Sequence, residues 1–200
     1  MPDLASAHDI RKSDDSDIKQ VCDILGNAFT DDPVLTWMSG QPQIYSALFR
    51  SEAEALYKHH GHVYINREQT GAAMWLPPGV SAETPFHWRL FHIVWLLFTT
   101  SGTRYLKRSM ALEKTFADKH PKYPHFYLFA IGATLGNQGR GIGSALLKAG
   151  LSACDAAGMP AYLESSNEAN NALYERHGFK TIEVITLPDE GPAVWMMQRD

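Results

Sequence analysis

Apolar side chains return every three or four positions near the start of the chain, at Ile18, Val21, Cys22, Leu25 and Ala28. That spacing puts them on one face of a helix, with Ser13 or Asp14 placed to cap it and an end expected near Phe29. Residues 8–11 before it read as a weak first strand. Pro33 opens a short second helix, and 44–59 predicts a third. Two apolar-rich runs, 62–66 and 71–76, flank the polar Arg67-Glu68-Gln69-Thr70 and predict two strands and a turn, closed by Pro77-Pro78-Gly79. Helical sequence follows to about His120. The second half then alternates: a strand at 126–131, an amphipathic helix at 142–157, a strand over 160–167, a short helix, and closing strands at 180–187 and 193–198. Elements mixed in this way predict an α/β protein in three layers.

The chain has 200 residues and no internal repeat, low-complexity tract or linker, so residues 1–200 are expected to form one domain. Its net charge of -4 gives no reason to expect a nucleic-acid partner and favours a cationic small molecule. Two cysteines, Cys22 and Cys154, both fall in helical patterns. They do not indicate a disulfide scaffold and fit a reducing cytosol, so a cytoplasmic location is expected. Cys154 reads as a core or surface thiol rather than a nucleophile. Residues 1–9 lack the basic-then-apolar pattern of a signal peptide. The stretch 86–98 is rich in Trp, Phe, Leu and Ile, yet it is shorter than the roughly 20 residues that span a bilayer and carries His87, Arg89 and His92. It reads as a helical insertion and not a membrane anchor; its role is either packing or one wall of a pocket, and the same two roles stand for His87 and His92. His59-His60-Gly61-His62 has neither cysteine nor carboxylate in ligand spacing, so no metal is expected.

The chemistry concentrates around Gln138-Gly139-Arg140-Gly141-Ile142-Gly143, between the strand at 126–131 and the helix at 142–157. A glycine-rich turn feeding a helix start offers free backbone N–H groups and the positive end of the helix dipole, which suits an anion, most often a phosphate. The spelling is not that of a Walker loop, because no Gly-Lys-Ser/Thr follows. Nor do glycines at 139, 141 and 143 fit the dinucleotide fingerprint Gly-x-Gly-x-x-Gly. Downstream, Leu163-Glu164-Ser165-Ser166-Asn167 ends a strand and Tyr174-Glu175-Arg176-His177-Gly178-Phe179 ends a helix, with Gly178 where a left-handed cap is needed.

This ordered pair of motifs resembles the coenzyme A pyrophosphate loop and following elements of GNAT-type N-acetyltransferases. Residues 124–197 are most similar to the puromycin N-acetyltransferase-like proteins, through Phe126-Tyr127-Leu128, Leu163-Glu164-Ser165-Ser166 and Pro188-Asp189-Glu190-Gly191-Pro192 besides the motifs above. Ala28-Phe29-Thr30-Asp31-Asp32-Pro33 also resembles the end of that family's first helix. Leu135-Gly136 departs from the family, where a proline and an acidic residue are usual.

The resemblance implies a three-layer fold with a mixed, mostly antiparallel central sheet, flanking helices, and a helical insertion before the cofactor-binding strand. It implies transfer of acetyl from acetyl-CoA, as cosubstrate, to a primary amine of a small molecule. Ile131, Gly132 and Ala133 would pair with the pantetheine arm at a bulge, which a glycine inside a strand makes plausible, although a plain sheet irregularity explains Gly132 as well. Gln138, Gly139, Arg140, Gly141, Ile142, Gly143 and Ser144 would hold the diphosphate. Tyr174 would be the general acid, since a phenol near pKa 10 matches a departing thiolate, or a helix aromatic packing on the sheet. Glu164 would be the general base, through water, or a solvent-facing strand carboxylate. Asn167 and Asn170 would contact the pantetheine or adenosine, or cap a helix. Asp31 and Asp32 would attract a cationic acceptor or cap the helix at Pro33. Two other readings stay open: a peptide or protein N-acetyltransferase, and a non-catalytic acyl-CoA sensor.

Overall fold

The computed structural model describes residues 8–81 and 88–200, with side chains described outside 88–101. Its strands are β1 (Ile10–Lys12), β2 (His62–Asn66), β3 (Gly71–Leu76), β4 (Phe126–Ala133), β5 (Ala161–Ser165), β6 (Lys180–Thr186) and β7 (Ala193–Arg199). They form one seven-stranded sheet in the order β1-β2-β3-β4-β5-β7-β6. The β4–β5 pair is parallel and every other pair is antiparallel. The helices are α1 (Ile18–Ala28), α2 (Pro33–Met38), α3 (Tyr45–Glu52), α4 (Trp88–Lys119), α5 (Ile142–Ala157) and α6 (Asn171–Arg176). This is the mixed, mostly antiparallel sheet between helices that the family resemblance implies.

Pleat alternation sorts the core into two faces. Ala72, Met74, Tyr127, Ala130 and Tyr162 point to the face covered by Val21, Ile24 and Leu25 of α1 and by Phe49 of α3. Ala73, Trp75, Leu128, Ala161 and Leu163 point to the other face, where Leu146, Leu147 and Leu151 of α5 cover them. Close packing sets the glycines there: a Cβ on Gly150 of α5 would lie 2.3 Å from the Trp75 ring.

Several boundaries differ from the sequence expectation, for local reasons. Helix α1 starts after Asp17, not Ser13 or Asp14, because Asp14 accepts from the Ser16 amide and hydroxyl in a tight turn. The third helix is interrupted by a π-helical turn at Ala53–Tyr57 before ending in Lys58–His60. Helix α4 is broken at Gly102, whose φ of 64° and ψ of -158° leave the helical region. Beyond the break, Arg108 donates to the carbonyls of Trp37 and Asp189 and lies over the Trp37 ring, tying α4 to α2 and to the β6–β7 turn. The helical nature of the insertion is seen from Trp88 onward; whether side chains of 86–98 wall a pocket, with His87 and His92 among them, lies outside the described residues. Among the described residues, no helix is long and apolar enough to cross a membrane. Cys22 and Cys154 are free and buried on opposite faces, and burial pushes each thiol up to about 12, which makes both poor nucleophiles.

Gly150→Ala is expected to destabilise the fold by about 1–3 kcal/mol, because the Trp75 ring is fully buried and cannot swing away. Thermal denaturation should show this as a fall of several degrees in Tm.

Candidate functional site: a split between two parallel strands

The two central strands do not stay together. Strand β4 is eight residues long, yet it pairs with β5 only over Phe126–Leu128 against Ala161–Leu163. Past Leu128, no strand among the described residues pairs with β4 on this side. Its other edge continues on β3, with Met74 opposite Ala130 and Trp75 opposite Leu128, so Phe129 is an extra residue and forms a bulge. The bulge therefore sits at Phe129 and not at Gly132, where the sequence reading put it. Gly132 has a different cause: a Cβ there would lie 2.6 Å from Cβ of Ala28, so the glycine lets α1 approach the sheet. The Thr134 amide donates to the Thr70 carbonyl at 2.8 Å, which fixes the alternation beyond the bulge. Gly132 N–H turns to β3, while the N–H groups of Ile131 and Ala133 turn into the split.

The turn after β4 leads straight to α5. Its shape needs glycine at three places, Gly136, Gly139 and Gly141, with φ of 83°, 74° and 86°. Asn137 bonds back to Thr134 through its amide and side chain, both at 2.9 Å, and Arg140 donates to Asn137 Oδ1 at 3.1 Å. At Leu135, which departs from the family, the amide donates to Asn27 Oδ1 of α1 at 2.8 Å. Gln138, Gly139 and Arg140 are exposed. The first intrahelical bond is Ala145 N–H to Gly141 at 3.0 Å, so the amides of Ile142, Gly143 and Ser144 have no acceptor in the helix. No acidic side chain stands in that first turn. The Ser144 hydroxyl is turned aside: the Leu173 carbonyl accepts from Nδ1 of His177 at 2.9 Å, so Nε2 accepts from Ser144 Oγ at 2.8 Å. Helix α5 is thereby joined to α6.

Tyr174 of α6 packs against Phe179 on the α5 face of the sheet, buried. Its hydroxyl makes no hydrogen bond among the described residues. Burial, and then the charge of Asp32, raise this phenol above its ordinary value, so it stays protonated. Asp32 is the cap of α2, accepting from the Leu35 amide at 2.9 Å, and its other oxygen accepts from the Ser166 hydroxyl beyond β5. It is thus a buried capping residue that crosses the mouth of the split. Gly178 has the expected left-handed φ, 90°. Asn167 is also a cap, accepting from the Ala169 amide at 3.1 Å, whereas Asn170 is exposed and makes no capping bond.

Glu164 is the first β5 residue past the last β4–β5 rung, across from the bulge. It is not solvent-facing: its side chain is 4 % exposed, on the α1 face beside Tyr127 and Tyr162. Its Oε1 is buried without a hydrogen bond and lies 3.5 Å from Nδ1 of His120. His120 in turn meets His125, Nε2 to Nε2, at 3.1 Å. The sequence reading passed over these two histidines. The available signal was the pair itself, at either end of a proline-bounded turn, His120-Pro121 to Pro124-His125. Among the described residues, no cluster of three or more His, Cys, Asp or Glu could hold a metal.

Residues 131–181 match the family model of the acetyltransferase (GNAT) domain. The match covers this segment of the chain only. It runs from the open end of β4 through the glycine turn, α5, β5 and α6, and so contains both walls of the split. An uncharacterised N-acetyltransferase of Schizosaccharomyces pombe is 27 % identical over 192 residues, covering 89 % of this chain and 76 % of its own. Among solved structures, a Corynebacterium glutamicum protein described as histone acetyltransferase HPA2 and related acetyltransferase superposes with a TM-score of 0.67. It is 23 % identical, with 95 % of this chain and 94 % of that one covered. Arylalkylamine N-acetyltransferase 2 of Aedes aegypti gives 0.64 at 10 % identity, over 95 % and 97 % of the two chains. These matches show the GNAT fold and, over 131–181, similarity to the GNAT domain model; the finer likeness to puromycin enzymes rests on the sequence phrases alone.

Along the matched segment, the N–H groups of Ile131 and Ala133 face the split, the glycine turn follows at its end and Glu164 lies at its apex, while Tyr174 is buried on the α5 face within reach of the Asp32 charge. Asp32 supplies a check on how the mouth is held. Burial raises its carboxyl above the ordinary aspartate value, so the folded state holds the proton more tightly than the unfolded chain. Stability then falls as pH rises through that window. Asp32→Asn keeps the capping oxygen without the charge and is expected to melt at or above wild type at pH 7, with a flatter profile between pH 4 and 7. Asp32→Ala loses the cap and about 0.5–2 kcal/mol. Melting temperatures across that pH range check both.

Proposed function

We propose that this protein is an N-acetyltransferase that moves the acetyl group of acetyl-CoA directly to a primary amine of a small molecule. The carrying observation is the split itself, where, among the described residues, the strand amides on one wall have no strand partner, three helix amides at its end have no acceptor in the helix and the Tyr174 phenol makes no hydrogen bond. The donor set fits coenzyme A, because amides facing an open edge suit the pantetheine amides and a helix start without acidic residues suits a diphosphate. When bound, acetyl-CoA supplies the acyl group as a thioester.

In this reading Ile131, Gly132 and Ala133 align the acyl arm along β4, and Gln138 to Ser144 hold the diphosphate through backbone amides. Arg140 adds a charge at the rim. Ser144 contributes its amide only, since its hydroxyl serves His177. Asn170 stays available to the adenosine end, and Asn167 shapes that turn. Tyr174 Oη gives its proton to the leaving sulfur. Its raised pKa keeps the phenol protonated at neutral pH. Glu164 takes the proton released by the amine. We read residues 1–200 as one catalytic unit.

Two features favour a small amine. The bulge residue Phe129 stacks on Tyr57 at 5.0 Å and meets Phe49 at 6.2 Å, and Phe49 meets Phe29 at 5.1 Å, giving an aromatic lining with Phe29 and Phe129 only partly buried. The Aedes neighbour, moreover, is an arylalkylamine N-acetyltransferase.

Free-thiol release from acetyl-CoA, with a panel of arylalkylamines, polyamines, puromycin and short peptides, tests the reading. Release with small amines is expected; release with peptides alone would favour a peptide enzyme, and a rise in Tm with acetyl-CoA but no turnover would favour a sensor. Tyr174→Phe is expected to lower kcat by about 100-fold or more, with little change in the acetyl-CoA KM. Gly141→Val forces a β-branched residue into φ of 86° and should weaken coenzyme A binding at least tenfold by calorimetry.

A further inference from the structure

A buried base must lose the proton it takes, and Glu164 has almost no solvent of its own. His120 does: its side chain is 22 % exposed against 4 % for Glu164. The proton positions along this chain can be ordered from one end. The Tyr123 carbonyl only accepts, so Nδ1 of His125, 2.8 Å away, carries a proton. Burial, as the main cause, lowers the pKa of His125 and keeps its ring neutral, which leaves Nε2 an acceptor. His120 Nε2, 3.1 Å away, must therefore donate. A neutral His120 then turns an unprotonated Nδ1 toward Oε1 of Glu164 at 3.5 Å, the same oxygen that is buried without a donor. Two acceptors face each other where one proton would join them.

We propose that His120 is the proton exit of Glu164, and that His125 sets the tautomer that makes this possible. The inference rests on the acetyl-transfer reading above. An N–H bond of the acceptor ammonium breaks, its electron pair stays on nitrogen, and the proton goes to the Glu164 carboxylate. The new O–H bond then breaks toward His120 Nδ1, giving an imidazolium beside a carboxylate. Water or a buffer base removes the proton from His120 and restores the start; His125 never changes charge. Neither histidine touches the acceptor, so both are positioning residues acting through Glu164.

Two neighbouring phenols, Tyr127 and Tyr162, also turn toward the Glu164 carboxyl, and both stay protonated. Tyr127 and Tyr162 flank the His120 ring at 4.9 and 5.3 Å, and both phenols are pushed up first by burial and then by the Glu164 charge. Tyr57, also near Glu164, is raised by burial. Lys119 next to His120 is paired with Glu183 of β6, and the Tyr123 hydroxyl with Gln198 of β7.

Steady-state thiol release, with acetyl-CoA and the panel amine that wild type acetylates fastest, tests the exit. His120→Gln keeps a donor toward His125 but cannot exchange a proton with Glu164; His120→Ala removes both. Both are expected to lower kcat by about 10- to 100-fold, with the acetyl-CoA KM within about twofold of wild type. Imidazole in the buffer should restore His120→Ala at least about fivefold, in proportion to its unprotonated fraction, and leave wild type unchanged. A His120→Gln variant with more than half the wild-type kcat, or no recovery with imidazole, overturns the proposal. Should His120→Ala fail to fold, His120→Gln carries the kinetic test. Nitrogen-15 NMR of the wild-type histidines reads the order of protons without any substrate: the Nδ1–H tautomer of His125 is expected, and the Nε2–H tautomer overturns it. A wild type that turns over no amine sinks the acetyl-transfer reading instead, and the NMR result still decides the histidine network.

Discussion

The parting of β4 and β5 after three rungs is the constraint on which the site depends. Parallel strands normally run on together because each unmade backbone bond costs stability when water cannot replace it. Here the bulge at Phe129 redirects one strand while Glu164 begins the unpaired stretch of the other. The unpaired edge is tolerable only because it opens to solvent or to a ligand with amides of its own. The groups to which the proposed function gives a role lie on β4, on β5 or in the turn and helices that follow them: the strand amides, the glycine turn, Tyr174 on the α5 face and Glu164 on the α1 face.

Two buried carboxylates border the split and are managed differently. Asp32 is saturated by the Leu35 amide and the Ser166 hydroxyl, as a group that holds structure should be. Glu164 keeps an oxygen without a donor and a histidine just beyond hydrogen-bond reach. A buried polar atom left without a partner costs stability, typically about 1–3 kcal/mol. That cost is concentrated at one side chain, beside the bulge, and it is the observation from which the proposed role of Glu164 as base is argued.

Much of this was legible before the fold was known, and the reasons are local. The glycine turn declares itself because left-handed φ at 139 and 141 leaves few residue types to choose from. Helix α5 and the cap at Gly178 follow from periodicity and from the same backbone rule. What sequence could not supply was pairing across distance. A glycine in a strand signals either a bulge or a close neighbour, and only the position of Ala28 decides for the second at Gly132. Likewise Glu164 reads as a general base or as a solvent-facing strand carboxylate, and only the fold, which buries it beside His120 from 44 positions earlier in the chain, removes the second reading. Asp32 could be a lure for cations or a cap; the Leu35 amide decides.

The sheet can also be viewed as two leaves, β1–β4 and β5–β7, joined by three rungs at one end. At the other end a strut runs from the Ser166 hydroxyl, just past β5, to the Asp32 carboxylate that caps α2 beside the first leaf. A spine and a strut together fix an aperture, and the strut ends on an acid that can change its charge. The gap between the leaves is therefore a dimension the protein sets chemically as well as sterically.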